Sequence, residues 1–204
     1  MQFTINHLLP IRIWENLGDV LLLGEGNLSF ANSLLRQSAF EITNLIATTF
    51  DGKRRLTEEA RKNADKVNKM GGLVLYDVDA TQLKNTFTRS YQFDTIIFQF
   101  PNVGSRQAKY GRNPNHIMIR KFLQSAKESL KLNGSVLITA VDSPHYDGVF
   151  QFEEAAEYAG YQEPESFPFD PEMFPDYNHV NTNDQVSALD DHEAFLTWEF
   201  QPQP

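Results

Sequence analysis

The chain has no cysteine among its 204 residues. Without cysteine there is no disulfide framework, no cysteine-ligated zinc site and no thiol nucleophile. The chain also lacks an apolar run long enough to cross a membrane, and its first residues do not follow the basic and then apolar pattern of a secretory signal. We therefore expect a cytosolic protein, and the length and the hydrophobic content of 41% fit one domain over residues 1–204.

Basic residues are missing from the last third of the chain. All 18 Lys and Arg lie in residues 1–131 against 12 acidic residues, a net charge of +6, whereas residues 132–204 carry 15 acidic residues and a net charge of −15. The total of −9 argues against tight, nonspecific binding to bare nucleic acid. The basic first part is compatible with a local anion-binding face. The alternative is a polar fold whose charges happen to segregate along the chain.

Apolar runs alternate with helical patterns along most of the chain. Strands are predicted at 19–23, 44–50, 73–76, 93–100 and 136–141, with helices at about 28–37, 56–67, from Pro114 to just before Asn133, and at about 149–158. This alternation is typical of an α/β fold with a mainly parallel sheet and helices on both faces. Two final strands, 161–167 and 194–200, are predicted to pair antiparallel at the sheet edge, with a long loop over 168–193 between them. Residues 1–18 form a weakly patterned lead-in.

A glycine-rich turn follows the first predicted strand, and the rest of the chain is organised around it. Gly24 and Gly26 allow the backbone to bend sharply and to approach a ligand closely. Ser29 stands where a dinucleotide-binding motif has its third glycine. S-adenosylmethionine has no phosphate and tolerates this looser turn, so the sequence favours it over a nicotinamide dinucleotide.

Polar side chains follow each of the first five predicted strands. The carboxyl ends of parallel strands meet at one edge of a sheet, where ligands bind. Asp51 can accept hydrogen bonds from both hydroxyls of a ribose, and Asp79 or its neighbour Asp77 can accept one from an adenine amino group. Each acid has the alternative role of capping the next helix. The predicted cofactor-binding residues are Gly24, Glu25, Gly26, Asn27, Ser29, Asp51, Asp79 and Gln99.

Five sequence blocks together resemble the signature of the large-subunit rRNA uridine-N3 methyltransferase family. They are residues 24–30, 47–51, 78–81, 93–104 and 174–177, and they stand in the family's order. The resemblance implies a Rossmann-like class I methyltransferase fold, a seven-stranded sheet with an antiparallel last strand, S-adenosylmethionine as cofactor and N3 of a uridine in rRNA as methyl acceptor. The fourth block reads Gln-Phe-Pro-Asn, where the family usually has Asn-Phe-Pro-His.

For catalysis, the sequence nominates Gln99, Asn102, Asp142 and His145. N3 of uridine attacks well only as its proton leaves, so a base is needed, and Asp142 or His145 is the candidate. Gln99 and Asn102 are placed to hold the uracil carbonyls. Three loop cations, Arg106, Lys109 and Arg112, are predicted phosphate contacts, and no histidine pair has the spacing of a metal site.

Two other functions stay open from the sequence. The acidic total and the altered fourth block favour an N-methyltransferase of a small heterocyclic molecule. A noncatalytic partner protein that keeps the cofactor fold is the second alternative. The aromatic residues of the long loop, among them Phe169 and Phe174, are predicted to form core beneath it rather than a platform for bases.

Overall fold

The computed structural model describes residues 9–105, 107–179, 189, 192 and 194–204. The strands in these residues are β1 (Asn16–Leu23), β2 (Glu41–Thr48), β3 (Leu73–Leu75), β4 (Phe93–Gln99), β5 (Leu130–Val141), β6 (Glu165–Pro168) and β7 (Phe195–Phe200). The helices are α1 (Leu9–Glu15), α2 (Ser29–Arg36), α3 (Glu58–Lys69), α4 (Pro114–Lys127) and α5 (Phe152–Ala159).

All seven strands join one sheet in the order β3-β2-β1-β4-β5-β7-β6. The first five strands are parallel to one another, and β7 runs antiparallel between β5 and β6. This confirms the predicted mainly parallel sheet with an antiparallel last strand. The strand order reverses between β1 and β4, which is the place where ligands bind in open α/β sheets.

Helices cover both faces of the sheet, and the central strands are buried on both sides. Leu21 and Leu23 of β1 pack in the layer that contains α4 and α5, whereas Val20 and Leu22 pack in the layer that contains α2 and α3. Because both faces of β1 are buried, its side chains read as an uninterrupted apolar run rather than as an alternation. The packing therefore accounts for the pattern that predicted this strand.

The boundary between α4 and β5 differs from the prediction. The helix ends at Lys127 and β5 begins at Leu130, so Asn133 and Gly134 lie inside the strand rather than after the helix. Pairing with β4 jumps from Phe93↔Leu130 to Thr95↔Ser135, which leaves a bulge at 131–134. Asn133 has a φ of 65°, a left-handed conformation that Asn adopts more readily than most residues.

The predicted lead-in carries more structure than its pattern indicated. Residues 9–15 form α1, and Trp14 is buried against the rings of Phe30, Phe169 and Phe174. Residues 1–8 lie outside the described part of the chain. Among the described residues, no helix is both long enough and apolar enough to span a bilayer.

Candidate functional site

The turn after β1 lies at the centre of the carboxyl edge, because β1 pairs with β2 on one side and with β4 on the other. Gly24 has a φ of 64°, and a Cβ on it would lie 2.6 Å from Cε2 of Phe98. Both the backbone conformation and the close approach of Phe98 therefore require glycine at this position. Gly24 and Gly26 are exposed, so the turn presents backbone rather than side chains.

Glu25 points inward, beneath the turn. Its Oε2 accepts a hydrogen bond from the backbone N–H of Ala31 at 3.2 Å, so the carboxyl group satisfies a donor of the first turn of α2. Burial raises the pKa of Glu25 to about 7, and backbone hydrogen bonds from Ala31 and Phe30 oppose that rise. Glu25 therefore supports the turn from below, while its predicted contact with the cofactor stays a prediction.

Asn27 and Ser29 are both bonded to a distant part of the chain. Asn27 Oδ1 accepts hydrogen bonds from the Ser29 N–H at 3.1 Å and from the Ser29 hydroxyl at 2.7 Å. Asn27 Nδ2 donates to the Asn178 carbonyl oxygen at 2.7 Å, and Ser29 Oγ accepts from the Asn178 N–H at 3.0 Å. The two side chains thus join the turn after β1 to the loop that follows β6.

Residues 173–179, here called the docked segment, cover the layer that contains α2. Gln37 Nε2 donates to the Met173 carbonyl at 2.9 Å, and Arg36 forms an ion pair with Asp176. At the far end of the segment, the ring of His179 lies 4.8 Å from that of Phe100, and burial lowers the pKa of His179 to about 4. The docked segment therefore connects the turn after β1 with the residues that follow β4.

The aromatic residues before and within the docked segment are core, as predicted. Phe169 and Phe174 are buried and stack at a centroid distance of 5.1 Å. The ring of Tyr177 lies 4.9 Å from that of Phe30, and burial together with the nearby Glu25 carboxylate raises the pKa of Tyr177. These contacts hold the docked segment against α2.

Asp51 lies in the loop after β2 with 58% of its side chain exposed. Its contact with a cation is an ion pair with Arg55 at 3.7 Å, which is loose enough to leave the carboxylate accessible. The preceding residue, Phe50, is 70% exposed, although the sequence placed it inside the strand. Sequence reasoning therefore missed an aromatic face at this edge, and the signal for it was an aromatic residue directly before the acid that ends the strand.

The two acids after β3 have different roles. Asp79 accepts from the Thr81 N–H at 2.8 Å, from the Thr81 hydroxyl at 2.7 Å and from Gln82 Nε2 at 3.1 Å, so its carboxylate caps the helical turn that follows. Asp77 is exposed, and its Oδ1 lies 2.7 Å from the position that a Cβ on Gly52 would take. Of the two carboxylates, Asp77 therefore lies against the loop that carries Asp51.

Gln99 ends β4, and its amide is not satisfied by any side chain that the structure describes. Both its Nε2 and its Oε1 are buried and have no hydrogen-bond partner among the residues that the structure describes, and the side chain is only 8% exposed. Thr48 Oγ1, at the end of β2, is unpaired in the same way. A buried polar group without a partner costs about 1–3 kcal/mol, so such groups point to a ligand or an ordered water.

The remaining predicted residues come to the same edge from β4 and β5. Asn102 is exposed, and its Oδ1 accepts from the Gly104 N–H at 2.8 Å, which leaves its amide NH₂ facing outward. Asp142 and His145 are exposed in the loop after β5. Because Gln99 pairs with Thr139, the loops after β4 and β5 are neighbours. The side chains of this set that face solvent are thus Asn102, Asp142 and His145.

Arg112 and His116 have structural contacts. Arg112 Nη1 donates to Glu154 Oε1 at 2.6 Å, so this predicted phosphate contact is already paired, while Arg106 lies outside the described residues. His116 is buried, with Nδ1 2.8 Å from the Phe150 carbonyl oxygen. Within the described ranges, no group of three or more His, Asp or Glu is arranged to hold a metal ion.

The residues at this edge fit S-adenosylmethionine. The open glycine turn offers backbone contacts, and the accessible carboxylate of Asp51 offers an acceptor for the ribose. The exposed ring of Phe50 offers a stacking face, and the unpaired amide of Gln99 offers polar contacts for the remaining atoms. A cavity of about 290 Å³ lies between α2 and α3, and its lining includes Ser29, Asn63 and Asp176.

Residues 21–181 match the family model described as BMT5-like, rRNA (uridine-N3-)-methyltransferase. The chain is similar to the heavy metal-associated isoprenylated plant protein 41 of Arabidopsis thaliana, with 35% identity over 59% of this chain and 24% of that protein. It is also similar to the 25S rRNA (uridine(2634)-N(3))-methyltransferase of Saccharomyces cerevisiae, with 22% identity over 81% of this chain and 66% of that protein. The chain thus spans about a quarter of the plant relative's length.

Among solved structures, a methyltransferase from Pyrococcus furiosus is similar with a TM-score of 0.59 and 18% identity, over 98% of this chain and 83% of that chain. This likeness shows the Rossmann-like class I methyltransferase fold that the sequence predicted.

Proposed function

Because the chain belongs to the BMT5-like family of rRNA (uridine-N3-)-methyltransferases, we propose that it transfers a methyl group from S-adenosylmethionine to N3 of a uridine in rRNA. The similarity to the yeast 25S rRNA methyltransferase supports this substrate. The observation that carries the proposal is the buried, unpaired amide of Gln99 at the carboxyl edge, where the strand order reverses. A cytosolic location stays a prediction from the sequence.

S-adenosylmethionine, when bound, supplies a methyl group that is already electrophilic. Asp51 binds the ribose hydroxyls, because an exposed carboxylate accepts two hydrogen bonds at once. Phe50 offers its ring to the adenine, and Asp77 or Asp79 accepts from the adenine amino group. Gly24 and Gly26 have no side chains, so the cofactor can come into close contact with the backbone of the turn.

Gln99 and Asn102 orient the uracil ring. The Gln99 amide NH₂ has no partner among the described residues, so it can donate to a uracil carbonyl and leave the N3 proton accessible to the base. Asn102 can donate through its amide NH₂, while its Oδ1 already accepts one hydrogen bond from the Gly104 N–H. Asn102 has no titratable group, so the base that takes the N3 proton comes from the loop after β5, as Asp142 or His145.

The proposal is tested by incubating the purified protein with methyl-labelled S-adenosylmethionine and unmodified large-subunit rRNA. We expect label in the RNA, released as 3-methyluridine on digestion, and loss of that label in the Gln99→Ala variant. A matched cell extract run in parallel separates the alternatives. Label only among small molecules would indicate a small heterocyclic substrate, and failure of the protein to bind S-adenosylmethionine would indicate a noncatalytic partner protein.

A further inference from the structure

The loop between β4 and α4 ends in a tight hairpin, residues 109–112, here called the Tyr110 hairpin. The Lys109 N–H donates to the Arg112 carbonyl at 2.8 Å, and the Arg112 N–H donates to the Lys109 carbonyl at 3.1 Å. Tyr110 and Gly111, between them, have φ values of 55° and 74°. Two consecutive residues with positive φ make this a turn of the I′ type, which favours Asn-Gly and disfavours a bulky first residue.

Tyr110 occupies that unfavourable position with 91% of its surface exposed. Within the described part of the chain, Tyr110 belongs to neither hydrophobic layer. Folding therefore gives no reason for a tyrosine here, since Asn would fit the backbone with less strain. A strained residue whose side chain stabilises nothing in the fold is a candidate for a functional role.

The hairpin is held firmly at its base. Arg112 is bonded to Glu154 on α5 at 2.6 Å. Asn113 caps α4 by accepting from the Asn115 N–H at 2.9 Å, and Asn115 Oδ1 accepts from the Val103 N–H at 2.9 Å, which ties the start of the loop to its end. The base of the hairpin thus has fixed partners on both α4 and α5, while the tyrosine ring projects from the tip.

The position of the hairpin and its charge indicate the partner. The loop begins directly after Gln99 and Asn102, so the hairpin belongs to the same edge of the sheet as the proposed methyl-transfer site. Lys109, the residue directly before Tyr110, is exposed. Unpaired RNA is bound by this combination, because bases stack on aromatic rings while phosphates are attracted to neighbouring cations.

We propose that the Tyr110 hairpin binds an unpaired nucleotide of the substrate RNA close to the target uridine, with the base stacked on Tyr110 and a phosphate beside Lys109. The inference rests on the proposed function and adds to it a specific RNA contact, separate from the cofactor site. It differs from the sequence prediction, which placed only cations in this loop.

The test uses Tyr110→Asn, which suits the turn, together with Tyr110→Phe, which keeps the ring. Tyr91→Asn is the control, because Tyr91 is 55% exposed but precedes β4 and lies at the opposite edge of the sheet. Binding of a labelled single-stranded oligouridylate is measured by fluorescence anisotropy, and methylation of rRNA by kcat and KM. S-adenosylmethionine affinity and Tm are measured for each variant.

We expect Tyr110→Asn to weaken RNA binding about 5- to 100-fold and to raise the KM for RNA, with Tm unchanged or higher and S-adenosylmethionine affinity unchanged. Tyr110→Phe should behave like the wild type, and Tyr91→Asn should keep the wild-type RNA affinity and KM, although it loses ring contacts with Phe87 and Phe93. A wild type that methylates rRNA while Tyr110→Asn keeps full RNA affinity would overturn this inference alone. A wild type that neither binds nor methylates RNA would overturn the proposed function and the inference with it.

Discussion

The Asn178 carbonyl oxygen accepts a hydrogen bond from Asn27 Nδ2 at 2.7 Å, across 151 residues of sequence. Asn27 also orders Ser29 at the start of α2, so one amide connects the turn after β1, the first turn of α2 and the docked segment. The shape of the predicted cofactor turn therefore depends on a loop that is remote in sequence.

Asn27→Ala removes this connection. Asn27 is buried, and its loss leaves the Ser29 N–H without its partner and removes one of the two donors to the Asn178 carbonyl oxygen, so we expect the free energy of unfolding to fall by about 1–3 kcal/mol. Asn44→Ala is the control, since Asn44 bonds Asp19 at an exposed position and should cost less. Urea unfolding measures both. Equal losses would show that the bond to Asn178 adds nothing.

Glu25 makes stability depend on pH. Its pKa of about 7 in the folded protein lies above the ordinary value of 4.5, so the folded state holds the proton more tightly than the unfolded state. The resulting stabilisation is full below about pH 4.5 and is lost as the pH rises through 7. Glu25→Gln stays neutral and keeps an acceptor for Ala31.

Between about pH 5 and pH 8, the wild type should therefore lose about 2–3 kcal/mol more unfolding free energy than Glu25→Gln. Urea unfolding across that range measures the difference, and Glu41→Gln, at an exposed position, should keep the wild-type slope. Parallel pH profiles for the wild type and Glu25→Gln would contradict the burial of an ionisable carboxyl group here.

Asp51→Ala separates cofactor binding from stability. Because its carboxylate is exposed and makes only a loose ion pair, we expect little change in Tm. Loss of a charged acceptor for the ribose should weaken S-adenosylmethionine binding about 10- to 100-fold. Isothermal titration calorimetry measures this, with Glu58→Ala as a control for removal of an exposed, ion-paired acid. Unchanged affinity in Asp51→Ala would remove Asp51 from the cofactor site.

Gln99→Met should lower the methyltransferase activity without lowering the stability of the fold. Methionine has a similar volume and no amide to leave unpaired, so we expect the free energy of unfolding to rise or stay level. Methyl transfer should fall sharply, because the polar contact with the acceptor ring is lost. Thermal unfolding checks the stability and the labelling assay checks the methyl transfer, both on the same preparation. Lower stability with full activity would mean that the Gln99 amide has a partner in the fold instead.

The sequence predicted the central strands well because their burial on both faces leaves a continuous apolar signal, as in β1 and β4. It misplaced the start of β5 because Asn133-Gly134 suits a helix end and a strand bulge equally. In the structure the bulge carries Lys131, which reaches Asp19 at 2.5 Å and Asp94 at 2.7 Å. Those partners are 112 and 37 residues away, beyond any local pattern.

The candidate site was predicted as a set of strand ends, and the structure brings that set to one edge. Sequence reasoning could not say which way each side chain faces. Glu25 turns inward to α2 and Asp79 caps its own helical turn, whereas Phe50, which looked like part of a strand, is exposed. The direction of a side chain at a strand end depends on contacts made after the strand stops, and periodicity carries no information there.

The place of β7 between β5 and β6 has a consequence for biosynthesis. A nascent chain leaves the ribosome with β1 to β6 before β7, yet β6 reaches the sheet only through β7. The loop between β6 and β7, which includes Asn178, is therefore anchored at both ends only once β7 has emerged. The surface that joins Asn27 to Asn178 is therefore fully supported only after β7 has paired with β6.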